Sequence, residues 1–142
     1  MALEIGQVIW LRIRFNNAGS ISQSRHPYLI IARDEEYNTL ELGQIDSLEG
    51  KEYKAAFRCN KTILSSNPDE TVIYKDSFIQ MDNKFLVEDY PELERFRKTL
   101  DKLSSPKFEE TVAAYTDYQN SHHISENKTV YMTKTEIEEL NT

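Results

Sequence analysis

The sequence predicts a mainly β protein, in which short antiparallel strands form a small barrel and helices follow. Residues 7–15 alternate between apolar and polar side chains, as in a strand with one buried face. Residues 28–32 form a continuous apolar run, which indicates a strand buried on both faces. Further short strand-like runs, separated by polar turns, predict that an antiparallel sheet curls into a barrel. These runs are Thr39–Ile45, Tyr53–Phe57, Thr71–Tyr74, Ser77–Met81 and Lys84–Val87.

After the predicted strands, the spacing of apolar side chains changes from two to three and four. Pro91 begins such a stretch, and residues 91–103 are therefore predicted to form an amphipathic helix. Phe108, Val112 and Tyr115 predict a second helix after a break at residues 104–106.

The chain divides into two regions on this pattern. Residues 1–118 are predicted to form the barrel with its C-terminal helices. Residues 119–142 are predicted to be a polar linker followed by a short terminal helix, because Thr133 and Glu136 have capping-box spacing ahead of Ile137.

Composition and length are those of one globular domain. The 142 residues include 39% hydrophobic and 29% charged side chains. A lone cysteine, Cys59, cannot form an internal disulfide, and the first residues lack the pattern of a secretory signal. Because no apolar run approaches the roughly 18 residues of a membrane span, we expect a cytoplasmic protein with no membrane partner.

The distribution of charge restricts where an anion could bind. The net charge of −7 opposes a broad affinity for nucleic acid, which depends on concentrated lysine and arginine. Basic and acidic side chains balance within residues 1–62, so the whole negative excess lies in residues 63–142. Only the N-terminal half is therefore expected to contain an anion site.

Several short motifs occur in an order found in a known toxin family. Gly6–Trp10, followed after a polar loop by Arg25–Ile31, resembles the opening of MazF/PemK-like toxins. Ile45–Ser47 lies where that family has a strand end rich in Thr and Ser, and Asp76–Asp82 is similar to its later strand. The resemblance covers roughly residues 5–103.

The resemblance implies an SH3-like barrel that cleaves single-stranded RNA. It also implies catalysis without a metal or other cofactor, assembly as a homodimer, and neutralisation by an antitoxin protein. Such cleavage needs a base for the 2′-hydroxyl proton, an acid for the leaving 5′-oxygen and a cation near the phosphate.

Carrying the family's motifs onto this chain gives Arg25, His26, Asp46 and Ser47 as candidate catalytic residues. His26 precedes Pro27 where the family has Arg, and Arg25 lies one residue earlier. An imidazole has an unperturbed pKa of roughly 6.5 and can transfer protons near neutrality, while Arg25 can supply charge. Asp46 can act as a base but repels a phosphate, and Ser47 can supply the hydroxyl. The alternatives are a structural or exposed His26 and a turn-capping Asp46.

A second group of residues is a candidate RNA-binding surface. Trp10, Arg12 and Arg14 share one face of the first predicted strand, where they could stack a base and bind a phosphate. Lys51 and Lys54 could extend this surface. A solvated outer face or a dimer surface is the alternative.

Two other functions are compatible with the sequence. The first is a non-catalytic PemK-like barrel that binds a protein or a nucleic acid. The second is an enzyme whose groove is blocked by the segment from Gln119, acting as an acidic mimic of RNA or antitoxin. His122 and His123 are adjacent and have no further ligand at a suitable spacing, so no metal site is expected.

Overall fold

A six-stranded sheet forms the centre of the computed structural model, which describes residues 2–47, 60–63 and 77–142. Its strands are β1 (Val8–Leu11), β2 (His26–Asp34), β3 (Thr39–Ser47), β4 (Asn60–Ile63), β5 (Ser77–Glu88) and β6 (Thr129–Met132). The helices within these described residues are two 3₁₀ helices, Pro91–Phe96 and Glu126–Lys128, and two α-helices, α1 (Ser105–Ser121) and α2 (Lys134–Asn141). The prediction of a mainly β protein with C-terminal helices is confirmed.

Strand β5 organises the sheet because its two halves have different neighbours. The strand order is β1-β2-β3-β5-β4, and all of these pairings are antiparallel. The first half of β5 pairs with β4, whereas Lys84–Val87 pairs with β6 in parallel. The sheet is therefore mixed, and the prediction of a purely antiparallel sheet is wrong. Helix α1 lies in the connection from β5 to β6, and such a crossover lets the chain return in the same direction.

Each face of the sheet has a buried apolar cluster, as the apolar run in β2 predicts. Tyr28 and Ile30 lie on the first face, and Leu29 and Ile31 lie on the second. Leu93, Phe96 and Ile137 cover the first face, while α1 covers part of the second face. The strand residues of the first cluster are Ile9, Leu11, Tyr28, Ile30, Leu40, Leu42, Phe85, Val87, Val130 and Met132.

The segment predicted as one helix over residues 91–103 differs from the prediction. The 3₁₀ helix ends at Phe96, and Arg97 is extended, with φ −84° and ψ 137°. Arg97 bridges to Ile9, and the Leu103 amide donates to the Gly6 carbonyl at 2.9 Å. Hydrogen bonds to the N-terminal segment therefore replace the helical ones.

The second predicted helix and the terminal helix are both present. They are α1 and α2, and the Thr133 side chain accepts a hydrogen bond from the Glu136 amide at 3.3 Å, as the capping-box spacing predicts. The region predicted as a linker contains the last turn of α1, a 3₁₀ helix and the approach to β6. Among the described residues, no helix has both the length and the apolar character of a membrane span.

Helix α1 is joined to the sheet by a partly buried hydrogen bond. The Tyr115 hydroxyl donates to Glu41 Oε2 at 2.5 Å, and burial followed by the nearby Glu41 charge raises the pKa of Tyr115. Replacing Tyr115 by Phe removes the donor from this carboxylate, and we expect the free energy of unfolding to fall by about 1–2 kcal/mol in urea titrations. Tyr131→Phe is the matched control because Tyr131 is 45% exposed on β6. Equal effects of the two substitutions would contradict this role of Tyr115.

Candidate functional site

A polar cleft opens on the first face of the sheet, beside the apolar cluster. Its volume is about 810 Å³. Three neighbouring strands form its floor, since Tyr28 on β2 is in register with Gln44 on β3, and Gln44 is in register with Gln80 on β5. The remaining wall comes from the loop before β2 and from Asn127 and Lys128. Along these strands, the side chains on the first face are therefore apolar towards one end of the strand and polar towards the other.

A network of side-chain amides holds a carboxylate in the cleft. Asp46 is only 7% exposed, and it accepts hydrogen bonds from Gln80 Nε2 at 2.5 Å and from Gln44 Nε2 at 3.3 Å. Asn83 Nδ2 in turn donates to Gln80 Oε1 at 3.0 Å. We call Gln44, Gln80 and Asn83 the amide cluster. It fixes the orientation of the carboxylate, because a buried polar group with several partners has few alternative positions.

Tyr28 places a neutral hydroxyl group near this carboxylate. Burial raises the pKa of Tyr28, and the charge of Asp46 raises it further. Both effects disfavour the phenolate, so Tyr28 stays protonated at neutral pH.

His26 also lines the cleft. It begins β2 and is half-buried, and its ring forms no hydrogen bond with the part of the chain that the structure describes. A ring without such a partner can offer a nitrogen to a ligand. The structure therefore brings two of the four candidate catalytic residues, His26 and Asp46, to the same cleft.

The other two candidate catalytic residues do not line the cleft. Arg25 Nη2 donates to the Asn141 carbonyl at 2.7 Å, and its guanidinium lies 5.0 Å from the centre of the Phe96 ring. Arg25 therefore contacts α2 and the 3₁₀ helix. Ser47 ends β3, where it is in register with Ser77.

The candidate RNA-binding residues of the first strand do not form one exposed stripe. Trp10 contacts the second-face cluster, and Lys98 Nζ lies 3.7 Å from the centre of its ring. Arg12 donates to the carbonyls of Ser22 and Leu140. Arg14 pairs with Glu136 at 2.8 Å, and this hydrogen bond is the main reason that the pKa of Arg14 is raised. Lys51 and Lys54 lie outside the described residues, as does Cys59.

Sequence reasoning missed the amide cluster. A local signal was available, because Gln44 with Asp46 and Gln80 with Asp82 each place an amide and an acid two residues apart in a strand. Residues two apart share a face. Two such pairs on neighbouring strands predict a polar patch on one face of the sheet.

The charge of the cleft limits its ligands. Its lining includes the carboxylates of Asp46 and Asp82, and Lys128 Nζ pairs with Asp82 at 2.7 Å. A free phosphate is thus not attracted by the lining itself. Within residues 2–47, 60–63 and 77–142, no three His, Cys, Asp or Glu side chains are grouped as a metal site.

A second cleft, of about 1040 Å³, lies on the second face of the sheet. Ala32, Glu41, Leu86 and Tyr131 form a row across four strands on its floor. None of the candidate catalytic residues lines it. We therefore take the smaller polar cleft as the candidate site.

Two comparisons with known proteins found no relative of this chain. No family model matches the chain, and no curated protein matches it. The functional assignment depends on the sequence resemblance and on the residues of the polar cleft.

Proposed function

We propose that this chain is a MazF/PemK-like toxin with an SH3-like barrel, and that it cleaves single-stranded RNA in the polar cleft. The observation that carries the proposal is that His26 and Asp46, which lie on different strands, line the same cleft. The sequence resemblance alone indicates both residues as candidates. A shared cavity lets one substrate reach both side chains, which acid–base catalysis by them would need.

The reaction is a transfer of the phosphate ester within one strand. The 2′-oxygen attacks the adjacent phosphorus, the bond from phosphorus to the 5′-oxygen breaks, and the products are a 2′,3′-cyclic phosphate and a 5′-hydroxyl end. In our proposal His26 accepts the 2′-hydroxyl proton, and water supplies a proton to the leaving oxygen. Asp46 stabilises the positive imidazolium that forms, because opposite charges attract strongly in a partly dry site.

The amide cluster has a separate role in this proposal. Each side-chain NH₂ group has two hydrogens, so an amide that donates to a neighbour can still donate to a ligand. Gln44 and Asn83 can therefore hydrogen-bond to a base or to a phosphate oxygen that enters the cleft. Homodimer formation, neutralisation by an antitoxin and a cytoplasmic location belong to the same proposal.

A non-catalytic binding module is the second candidate function. It is favoured by the position of Arg25, which contacts Asn141 and Phe96 instead of the cleft. With Arg25 held outside the cleft, the cleft would bind an unpaired strand or a peptide through its amides without cleaving it.

The proposal is tested by incubating the protein and EDTA with a long single-stranded RNA of mixed sequence, alongside DNA of the same sequence. We expect cleavage of the RNA only, with 2′,3′-cyclic phosphate ends, because DNA lacks the attacking 2′-hydroxyl. Intact RNA in this assay would contradict the ribonuclease. Binding of the intact RNA, measured by fluorescence anisotropy, would then support the second candidate function.

A further inference from the structure

Three arginines of the N-terminal half all donate hydrogen bonds to α2. Arg14 Nε donates to Glu136 Oε2 at 2.8 Å, and Arg12 Nη1 donates to the Leu140 carbonyl at 3.3 Å. Arg25 Nη2 donates to the Asn141 carbonyl at 2.7 Å. A helix of eight residues thus supplies oxygen acceptors to three guanidinium groups.

The acceptors on α2 resemble those of a nucleic-acid backbone in their chemistry. Two are carbonyl oxygens at a helix C-terminus, which carries partial negative charge, and the third is a carboxylate. Guanidinium groups bind phosphate oxygens with the same donors and with greater charge assistance. A phosphate chain can therefore replace these acceptors.

The arginines lie next to the polar cleft. Arg12 Nε donates to the carbonyl of Ser22, which lines the cleft, and Arg25 immediately precedes His26. The arginines therefore adjoin the cleft at Ser22 and at His26.

The attachment of α2 is limited enough for a ligand to displace it. Ile137 is its fully buried apolar side chain, and Leu140 contacts the core only in part. A helix of this length is not stable alone in water. Its position therefore depends on Ile137 and on polar contacts. A phosphate chain can replace those to the three arginine side chains, whereas the bonds of Glu138 to Tyr90 and Arg95 lie outside them.

We propose that Arg12, Arg14 and Arg25 form a binding surface for the backbone phosphates of single-stranded nucleic acid, and that α2 occupies this surface in the free protein. The inference rests on the proposed function in one respect, that the same nucleic-acid strand also enters the polar cleft. Phosphate binding by the three arginines requires no catalysis. It gives Arg25 access to a phosphate once α2 has moved. It also explains how a chain of net charge −7 can contain an anion site.

The test measures binding of a fluorescein-labelled single-stranded DNA of about ten nucleotides, which lacks the 2′-hydroxyl that cleavage needs. Glu136→Gln removes the carboxylate that competes for Arg14, and we expect binding to become about two- to fivefold tighter by anisotropy. Glu139→Gln is the matched control, since it makes the same charge change at an exposed position of α2. Adding Arg14→Gln to Glu136→Gln should abolish the gain.

Hydrogen exchange tests the displacement directly. Saturating DNA should increase amide exchange over residues 134–141 in the wild-type protein. Equal gains in Glu136→Gln and Glu139→Gln would overturn the proposal in favour of a simple net-charge effect, and so would unchanged exchange in α2 or no binding by any variant.

The RNA cleavage assay separates this inference from the proposed function. A Glu136→Gln protein that binds DNA more tightly but leaves RNA intact would support the phosphate surface and contradict the ribonuclease. RNA cleavage by the wild type, with no gain in DNA binding by Glu136→Gln, would support the ribonuclease and contradict the phosphate surface.

Discussion

Replacing His26 by Gln should slow RNA cleavage about 100-fold or more, the lower end of what a positioned acid–base group contributes. Gln has similar polarity and still forms hydrogen bonds, but its amide cannot accept a proton at neutral pH. His26 is half-buried at the start of β2, and its ring has no hydrogen-bond partner in the described part of the chain, so the fold should tolerate the change. The measurement is the single-turnover rate on a labelled RNA in EDTA.

The control for this experiment is a second histidine. His123→Gln makes the same substitution at an exposed position after α1, outside the cleft. Its rate should stay close to that of the wild type. If His26→Gln cleaves RNA as fast as His123→Gln, His26 is not the base and the proposed mechanism is wrong.

Removing residues 129–142 should unfold the protein. The deletion eliminates Val130, Met132 and Ile137, which are each at most 1% exposed within the first-face cluster. Burial of such a side chain contributes roughly 1.5–3 kcal/mol, so the three together approach the total stability of about 5–15 kcal/mol that a domain has. We expect loss of the cooperative urea transition, followed by far-UV circular dichroism.

A shorter deletion controls for the change of terminus. Removing Thr142 alone takes away an exposed residue and should leave the transition nearly unchanged. A cooperative transition in the protein without residues 129–142 would show that the sheet does not need β6 and α2. Since truncation is expected to unfold the chain, the blocking role of α2 is better tested by single charge substitutions than by deletion.

Local patterns predicted most of the sheet. The alternation before residue 15 and the apolar run at Tyr28–Ala32 depend on period-two geometry, which the sequence displays directly. The structure buries residues 28–31 on both faces accordingly. The first strand is nevertheless shorter than predicted, since β1 ends at Leu11 and Phe15 is 39% exposed.

The features that the sequence did not predict depend on pairings between residues far apart in the chain. Residues 97–103 have helical spacing, but their backbone bonds go to Ile9 and Gly6, which no local pattern indicates. Strand β6 is only four residues long, and its parallel partner lies on β5. Adjacent residues in a strand point to opposite faces, so Arg25 is expected to face away from His26. Its contacts with Asn141 and Phe96 join segments distant in sequence and could not be predicted.

The candidate site was predictable only in part. The resemblance led to His26 and Asp46, and the structure places both in the polar cleft. The resemblance gave no catalytic role to Gln44 or Gln80. Glutamine in a strand is also usually solvent-exposed, so neither residue was expected in a site. Their role follows from strand register, which aligns Gln44 with Gln80 and directs both towards Asp46.

The pairing of β5 with β6 also determines when this protein can fold during its synthesis. The second half of β5 and the arginines of the N-terminal half have their partners in residues 129–141. Contacts so distant in sequence form slowly, and they cannot form at all while those residues are still inside the ribosome. Asn127 and Lys128, which close one wall of the polar cleft, emerge immediately before them. The polar cleft is therefore incomplete until residues 127–141 have left the ribosome.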